Sequence, residues 1–458
     1  MSVSTASGGE SLSVANEQGR MRRVLGIPSL LFFGLAYMVP LTVWTTYGVV
    51  TTSTGGHLPA AYVVTTLAML LTAASYGRMV AAYPVAGSAY AYTRGAFGGK
   101  VGFLVGWVLL LDYLFLPMIC YLVIGLYVHD YVPAVPMWVW IVGSVVAVTT
   151  LNVLGIKVIT GVNLTVVVAQ FIFIAIFVGL SVAKVVDAAH VPSFTAPFVS
   201  SGMNLHAVVA GSAVLALSFL GFDAVSTLSE ETPDPTVRIP RAIVLCAVAG
   251  GGLYLLQAYV GHLVFPDFTA FANVDVATVD VMKRVGGGFL NAFFTAAYVA
   301  GCFACAAASQ ASVARILYAM GRDGVLPRRV FGRLHPRLLT PVIPNLIVGA
   351  FGLTALSISL ATASSMISFG ALAAFSWVNL SVVKHYVVDG GRRSARDLLR
   401  YLFLPVLGVM FSLYLWTSLS KLTSIVGLSW FGVGTVYLLV LTRGFTRQPP
   451  SLALDDHA

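Results

Sequence analysis

The stretch SFLGFDAVSTLSEETPDP, Ser218 to Pro235, lies inside an otherwise apolar segment that begins near Ala207. An uninterrupted transmembrane helix has no need of Gly221 and Asp223 near its middle, and a carboxylate there costs about 2.5–3.5 kcal/mol on insertion scales. That cost is offset if the helix breaks near the bilayer midplane and its loosened backbone faces a protein-lined cavity, where water or a cation meets the acid. The stretch therefore predicts a broken membrane helix with a binding site at the break.

Working outward, the 458 residues are 58% hydrophobic and only 9% charged, with a positive mean hydropathy. This composition describes an all-α polytopic membrane protein. Residues 1–20 are polar and Ser/Gly-rich, with no short apolar core followed by a small-residue cleavage site. They read as a cytoplasmic tail without a cleaved signal peptide. Cys120, Cys246, Cys302 and Cys305 all fall in apolar segments, which argues against a disulfide framework. Cys302 and Cys305 have redox-motif spacing but no charged neighbour, so small-residue packing is the simpler account. The sequence has no metal-ligand cluster, nucleophile elbow or phosphate loop, which disfavours a membrane enzyme, and no cofactor is expected.

About twelve apolar segments are long enough to span, at 25–50, 59–81, 100–126, 137–155, 159–184, 207–230, 241–265, 287–318, 341–360, 364–386, 401–419 and 424–442. With the N-terminus inside, 22 of the 26 Lys and Arg fall on the cytoplasmic side, and only Lys184, Lys283, Arg284 and Lys421 fall outside. This bias follows the positive-inside rule and demands an even number of helices, with both termini, including residues 443–458, cytoplasmic. The net charge of +9 thus reports topology and contact with anionic lipid, not nucleic-acid binding.

The first segment carries a second interruption, Gly34-Leu35-Ala36-Tyr37-Met38-Val39-Pro40. Pro40 removes a backbone donor and clashes with the preceding turn, so the helix kinks or opens there. Segments 1 and 6 are five helices apart and both are broken at mid-depth. An inverted five-plus-five repeat produces that pairing, with repeats at about 25–184 and 207–386, two further helices at 401–442, and a site between the breaks. The plainer alternative is that Pro40 and Gly221 only kink packed helices.

The chain resembles, over nearly all of its length, the amino acid–polyamine–organocation permeases. Three stretches carry the likeness: Ala82 to Arg94 (AYPVAGSAYAYTR), Gly221 to Pro240 (GFDAVSTLSEETPDPTVRIP) and Met320 to Pro341 (MGRDGVLPRRVFGRLHPRLLTP). Leu109 to Met118 (LLLDYLFLPM), with Gly34 to Pro40, is similar to the putrescine-importer branch in particular. The resemblance implies twelve helices in the LeuT-type fold and secondary active transport driven by an ion gradient.

Two departures from the amino-acid branch bear on the substrate. Where amino-acid members have a glycine-rich turn whose free N–H groups hold the substrate carboxylate, this chain has Met38, Val39 and Pro40. Pro40 donates no hydrogen bond, and bulk replaces the glycines that permit close approach. A carboxylate is served worse there, which favours a substrate without one. Where many relatives place a lysine associated with proton coupling, this chain has Gln170, an amide that does not titrate near neutral pH.

Asp112 is the strongest residue-level sign of a cationic substrate. It lies halfway along the third segment, between Leu109–Leu111 and Tyr113–Leu116, with no basic residue near it in sequence. It reads either as a functional acid, binding an ammonium or carrying a proton, or as a neutral or serine-paired carboxyl that ties helices together. Asp223 reads equally as an N-cap for the inner half of the sixth helix and as a ligand. By resemblance, the carbonyls around Leu217, Ser218 and Leu220 receive an ammonium, and carbonyls, as acceptors only, suit a cation. Tyr37, Tyr113, Phe219 and Phe222 lie beside the breaks, where ring faces attract cations, and the resemblance makes Phe222 a lid. Glu230 and Glu231 read as inner-gate partners of loop arginines or as solvated interfacial acids rather than substrate ligands. Of the hydroxyls, Ser309 and Ser312 are candidates to line an ion site left vacant at Gln170.

The expected function is import of a putrescine-like diamine by alternating access across a bacterial-type cytoplasmic membrane. Protons, or alternatively sodium, serve as the coupling ion. The expected partners are a small cation and the lipid bilayer, with the protein a monomer or homodimer. An amino-acid permease or exchanger is the second reading, and a sensor that keeps the fold without transporting is the third.

Overall fold

In lipid every backbone polar group needs an internal partner, so long apolar runs become helices. The computed structural model describes residues 25–84, 88–155, 159–187, 193–322, 324–336, 338 and 340–449, and among these there is no β-strand. The predicted tail 1–20, most of the tail 443–458, and Val85–Gly87, Asp323, Arg337 and Leu339 of the quoted stretches lie outside the described residues.

The helices are α1 (Ile27–Met38), α2 (Tyr47–Ser53), α3 (Leu58–Ala82), α4 (Ser88–Phe97), α5 (Gly99–Tyr131), α6 (Met137–Leu154), α7 (Ile159–Val186), α8 (Leu205–Leu215), α9 (Pro235–Val264), α10 (Ala277–Arg322), α11 (Val342–Gly352), α12 (Leu360–Val382), α13 (Ala395–Leu398), α14 (Leu404–Thr417) and α15 (Lys421–Leu441). Eleven spans among the described residues are long and apolar enough to cross a bilayer, and the shorter helical stretch Val342–Leu356 occupies the place of the ninth predicted segment. The protein is thus an all-helical, multi-pass membrane protein of about twelve helices.

Three boundaries differ from the sequence reading. The loop expected after the second segment contains α4, whose ten residues carry Ser88 toward the middle of the bundle. Helix α10 starts ten residues early and is interrupted at Gly286 and Gly287, where Gly287 adopts φ 64° and ψ −152°, so a short helix precedes the spanning one. The ninth segment forms only eleven α-helical residues before a 3₁₀ turn at Leu353–Leu356.

Helix α5 is the centre of the bundle, packed against α10, α12, α4, α6 and α15. Helix α3 pairs with α9 along its length. Close approach at Gly370 seats α12 directly on α5, since a Cβ there would lie 3.1 Å from the Asp112 Cβ and backbone nitrogen. Helices α14 and α15 lie outermost, with Met410, Tyr414, Ile425, Val436 and Val440 on their exposed surfaces, the apolar face that lipid requires.

Candidate functional site

Both predicted breaks are present, and each is held by neighbouring side chains. Helix α1 ends at Met38, and Val39 takes φ 52° and ψ 101°, a conformation that costs a β-branched residue free energy and persists only where surroundings enforce it. The enforcement is visible. The Thr42 hydroxyl donates to the Met38 and Val39 carbonyls at 2.9 and 2.8 Å, and the Tyr254 hydroxyl donates to the Met38 carbonyl at 2.8 Å. The Gln257 amide donates to the Pro40 carbonyl at 2.9 Å while its Oε1 accepts the Trp44 indole N–H at 2.9 Å. Tyr254 and Gln257, both on α9, were not singled out from sequence. A Gln inside an apolar segment was their only signal.

The second break follows α8. A 3₁₀ turn at Ala216–Phe219 leads into Leu220, Gly221 and Phe222, and Asp223–Glu231 continues as 3₁₀ helix rather than the expected α-helix. Gly221 has φ 121°, and a Cβ there would meet Tyr37 Cδ1 at 2.7 Å and the Met38 nitrogen at 2.9 Å. The two breaks therefore touch, and only glycine permits the contact.

At this junction lies a cavity of about 300 Å³ lined by Tyr37, Asp112, Tyr113, Leu220, Gly221, Asp223, Ser88, Thr227, Ser309 and Ser312, among others. Two predicted carboxylates, 111 residues apart in the chain, share it. Asp112 is 3% exposed, and its Oδ1 has no hydrogen-bond partner. Asp223 accepts the Gly221 N–H at 3.2 Å on one oxygen and the Ser88 hydroxyl at 3.1 Å on the other. By position Phe222 is the cap residue, and the Asp223 carboxylate reaches back across the break to Gly221. Tyr37, 39% exposed, forms a common wall with a second cavity of about 390 Å³ that contains Gln170, Ser309 and Ser312, and with a third, of about 50 Å³, that contains Met38 and Leu217.

Several predicted site residues lie elsewhere or already have partners within the protein. Phe222 is fully buried, edge-on to Tyr76 at 5.6 Å and 5.3 Å from Phe375, so in this conformation it packs the core and is no lid. Phe219 is buried against Tyr254, and Ser218 bonds the Tyr62 hydroxyl at 3.2 Å, because the 3₁₀ turn points both away from the junction. The Leu217 carbonyl already accepts the Leu220 N–H at 3.2 Å. Gln170 is 1% exposed, with Oε1 unpartnered, and it faces α10 at Gly301. The Ser309 and Ser312 hydroxyls donate to carbonyls of their own helix, at Cys305 and Ala308. The side chains of Glu230 and Glu231 lie outside the described part of the structure.

The opposite end of the bundle is closed. Trp44 packs against Tyr47 at 4.8 Å and Phe177 at 5.1 Å, and the rings of Phe294, Tyr127 and Tyr298 lie within 5.1–5.5 Å of one another, Tyr127 edge-on to the other two. The Thr45 and Tyr298 hydroxyls are hydrogen-bonded to each other beneath this plug. The cavities open toward the half that holds the start of α1, where Thr227 and Ser312 are exposed.

Two broken helices meeting over an acid-lined cavity, closed at one end of a membrane bundle, define the class of membrane transporters. The amino acid permease family model matches residues 29–438. The chain belongs to that family. It is 39% identical over 436 residues to the low-affinity putrescine importer PlaP of Escherichia coli K12, covering 94% of this chain and 96% of that protein. It is 25% identical to the branched-chain amino acid permease BcaP of Bacillus subtilis (95% and 96% covered) and 27% identical to cationic amino acid transporter 4 of Mus musculus (81% and 61%). The protein is a transporter and not an enzyme.

Proposed function

We propose that the protein imports a putrescine-like diamine. The observation that carries this reading is the presence of Asp112 and Asp223 on one cavity of about 300 Å³, with no lysine or arginine among its lining residues. Two carboxylates in a low-dielectric site favour a ligand that brings two positive charges and disfavour a zwitterion, whose carboxylate would lie beside an acid. Val39-Pro40 at the α1 break supports the same choice, since Pro40 offers no N–H to a carboxylate. The putrescine importer named above is in keeping with it.

In this proposal one ammonium meets Asp223 and the carbonyls of the second break, and the other meets Asp112. A bundle containing α1 and the 205–231 segment rocks against α5 and α10, opening the aromatic plug as the acid-lined side closes. The pairing of breaks supports an inverted repeat of 25–184 with 207–386. We assign coupling to protons, with the cytoplasmic side of an inner membrane facing the open cavity.

Uptake of labelled putrescine into proteoliposomes, with amino acids as competitors and with and without a proton gradient, tests this. The expected result is saturable uptake that amino acids do not compete, that collapses with the gradient, and that Asp112→Asn abolishes in folded protein. Robust amino-acid uptake without putrescine uptake would overturn it in favour of an amino-acid permease. Putrescine uptake that follows sodium would overturn the proton assignment alone.

A further inference from the structure

At the end of the bundle where α3 finishes and α12 leads into α13, arginines gather with no acid paired to them among the described residues. Arg78, in the last turns of α3, is half-buried, and its Nη1 has neither solvent contact nor a hydrogen-bond partner. The groups acting on it electrostatically are Arg400, Tyr401 and Tyr386, with no carboxylate among them. Tyr386 and Tyr401 stack at 4.3 Å, and the Tyr386 hydroxyl donates to the Arg78 carbonyl at 3.0 Å, pinning the pair to α3. The Arg392 guanidinium sits 5.3 and 5.5 Å from these two rings, and Arg400 lies 5.4 Å from Tyr401.

The nearby acids are engaged elsewhere. Asp389 pairs with Lys384, and Asp397 accepts the Ser394 hydroxyl at 2.7 Å. Ring faces hold the Arg392 and Arg400 guanidinium groups in place without neutralising them. The fork of an arginine matches a phosphate bidentately, and a guanidinium N–H out of water without a partner is costly. The positive-inside bias accounts for arginines in this loop but not for a half-buried, unpartnered one.

We propose that Arg78, Arg392 and Arg400 form a site for the phosphodiester of an anionic lipid headgroup. The place selects the lipid source over free phosphate: the cluster lies at the ends of membrane spans, where headgroups lie, and basic pockets between spans take such groups. A lipid phosphate here bridges the ends of α3 and α12 and the stretch leading into α14. The site does not depend on which substrate the transporter carries.

Thermal unfolding in nanodiscs of phosphatidylcholine carrying increasing shares of phosphatidylglycerol tests the site, with native mass spectrometry to count retained lipid. The expected result is a midpoint that rises and saturates with phosphatidylglycerol, with at least one such lipid retained, and both effects lost in Arg392→Gln/Arg400→Gln. Arg443→Gln/Arg447→Gln, which removes the same charge outside the cluster, is expected to keep both. Equal loss in the two double variants, a full response in the cluster variant, or the same stabilisation by inorganic phosphate in phosphatidylcholine would each overturn the proposal.

Discussion

At the scale of single residues, the chemistry rests on an asymmetry between the two acids. Asp223 has protein donors on both oxygens, whereas Asp112 has an oxygen without any. In the proposed site Asp112 is therefore the acid left to take its partner from the ligand. Truncating one member of a buried, hydrogen-bonded charge pair costs about 2–5 kcal/mol, which corresponds to roughly 30-fold or more in affinity. Asp112→Asn is expected to weaken putrescine binding by at least that factor while changing inhibition by butylamine, which presents one ammonium, by much less. Isothermal titration with the two amines measures the ratio. Equal loss for both would place Asp112 in the fold and not at the second ammonium.

At the scale of elements, a broken membrane helix survives only if something else bonds its loose backbone. For the first break that support is α9, through Tyr254 and Gln257. Gln257→Leu leaves the Pro40 carbonyl and the Trp44 indole N–H unpartnered in a buried place. Each such group costs about 1–3 kcal/mol. The expected outcome is a clearly lowered thermal midpoint together with weakened uptake, and an unchanged midpoint would show that the break stands without Gln257. The breaks themselves were legible because Pro40, Gly221 and Asp223 are out of place in apolar runs. What closes around them was not, because Tyr254 and Gln257 act from 216 and 217 residues away in the chain. Likewise the resemblance makes Phe222 a lid, yet in the fold its ring lies against Tyr76 and Phe375.

For the whole molecule, the aromatic plug at one end and exposed Thr227 at the other are the arrangement that the transport cycle proposed above requires of its state open to one side only. A cysteine placed as Thr227→Cys, in protein with its four native cysteines replaced, is expected to react with a membrane-impermeant maleimide only from the cytoplasmic side. Putrescine is expected to slow that reaction. Labelling from the outer side would invert the topology drawn from the Lys and Arg bias, and labelling unaffected by putrescine would separate this cavity from the transport path.

The sequence by itself determined the class, the near-complete set of spans, the two breaks and the unusual acids, because each is a local contest between apolar length and a residue lipid does not tolerate. Tertiary structure alone decided that Asp112 and Asp223 share a cavity while Phe219, Phe222 and Ser218 do not reach it. It also decided that Gly221 lies against Tyr37 and that Arg78 is left without an acid. These are facts of which helix faces meet, and the faces are set by close packing at positions such as Gly370 and Gly221, where the absence of a side chain lets another helix approach.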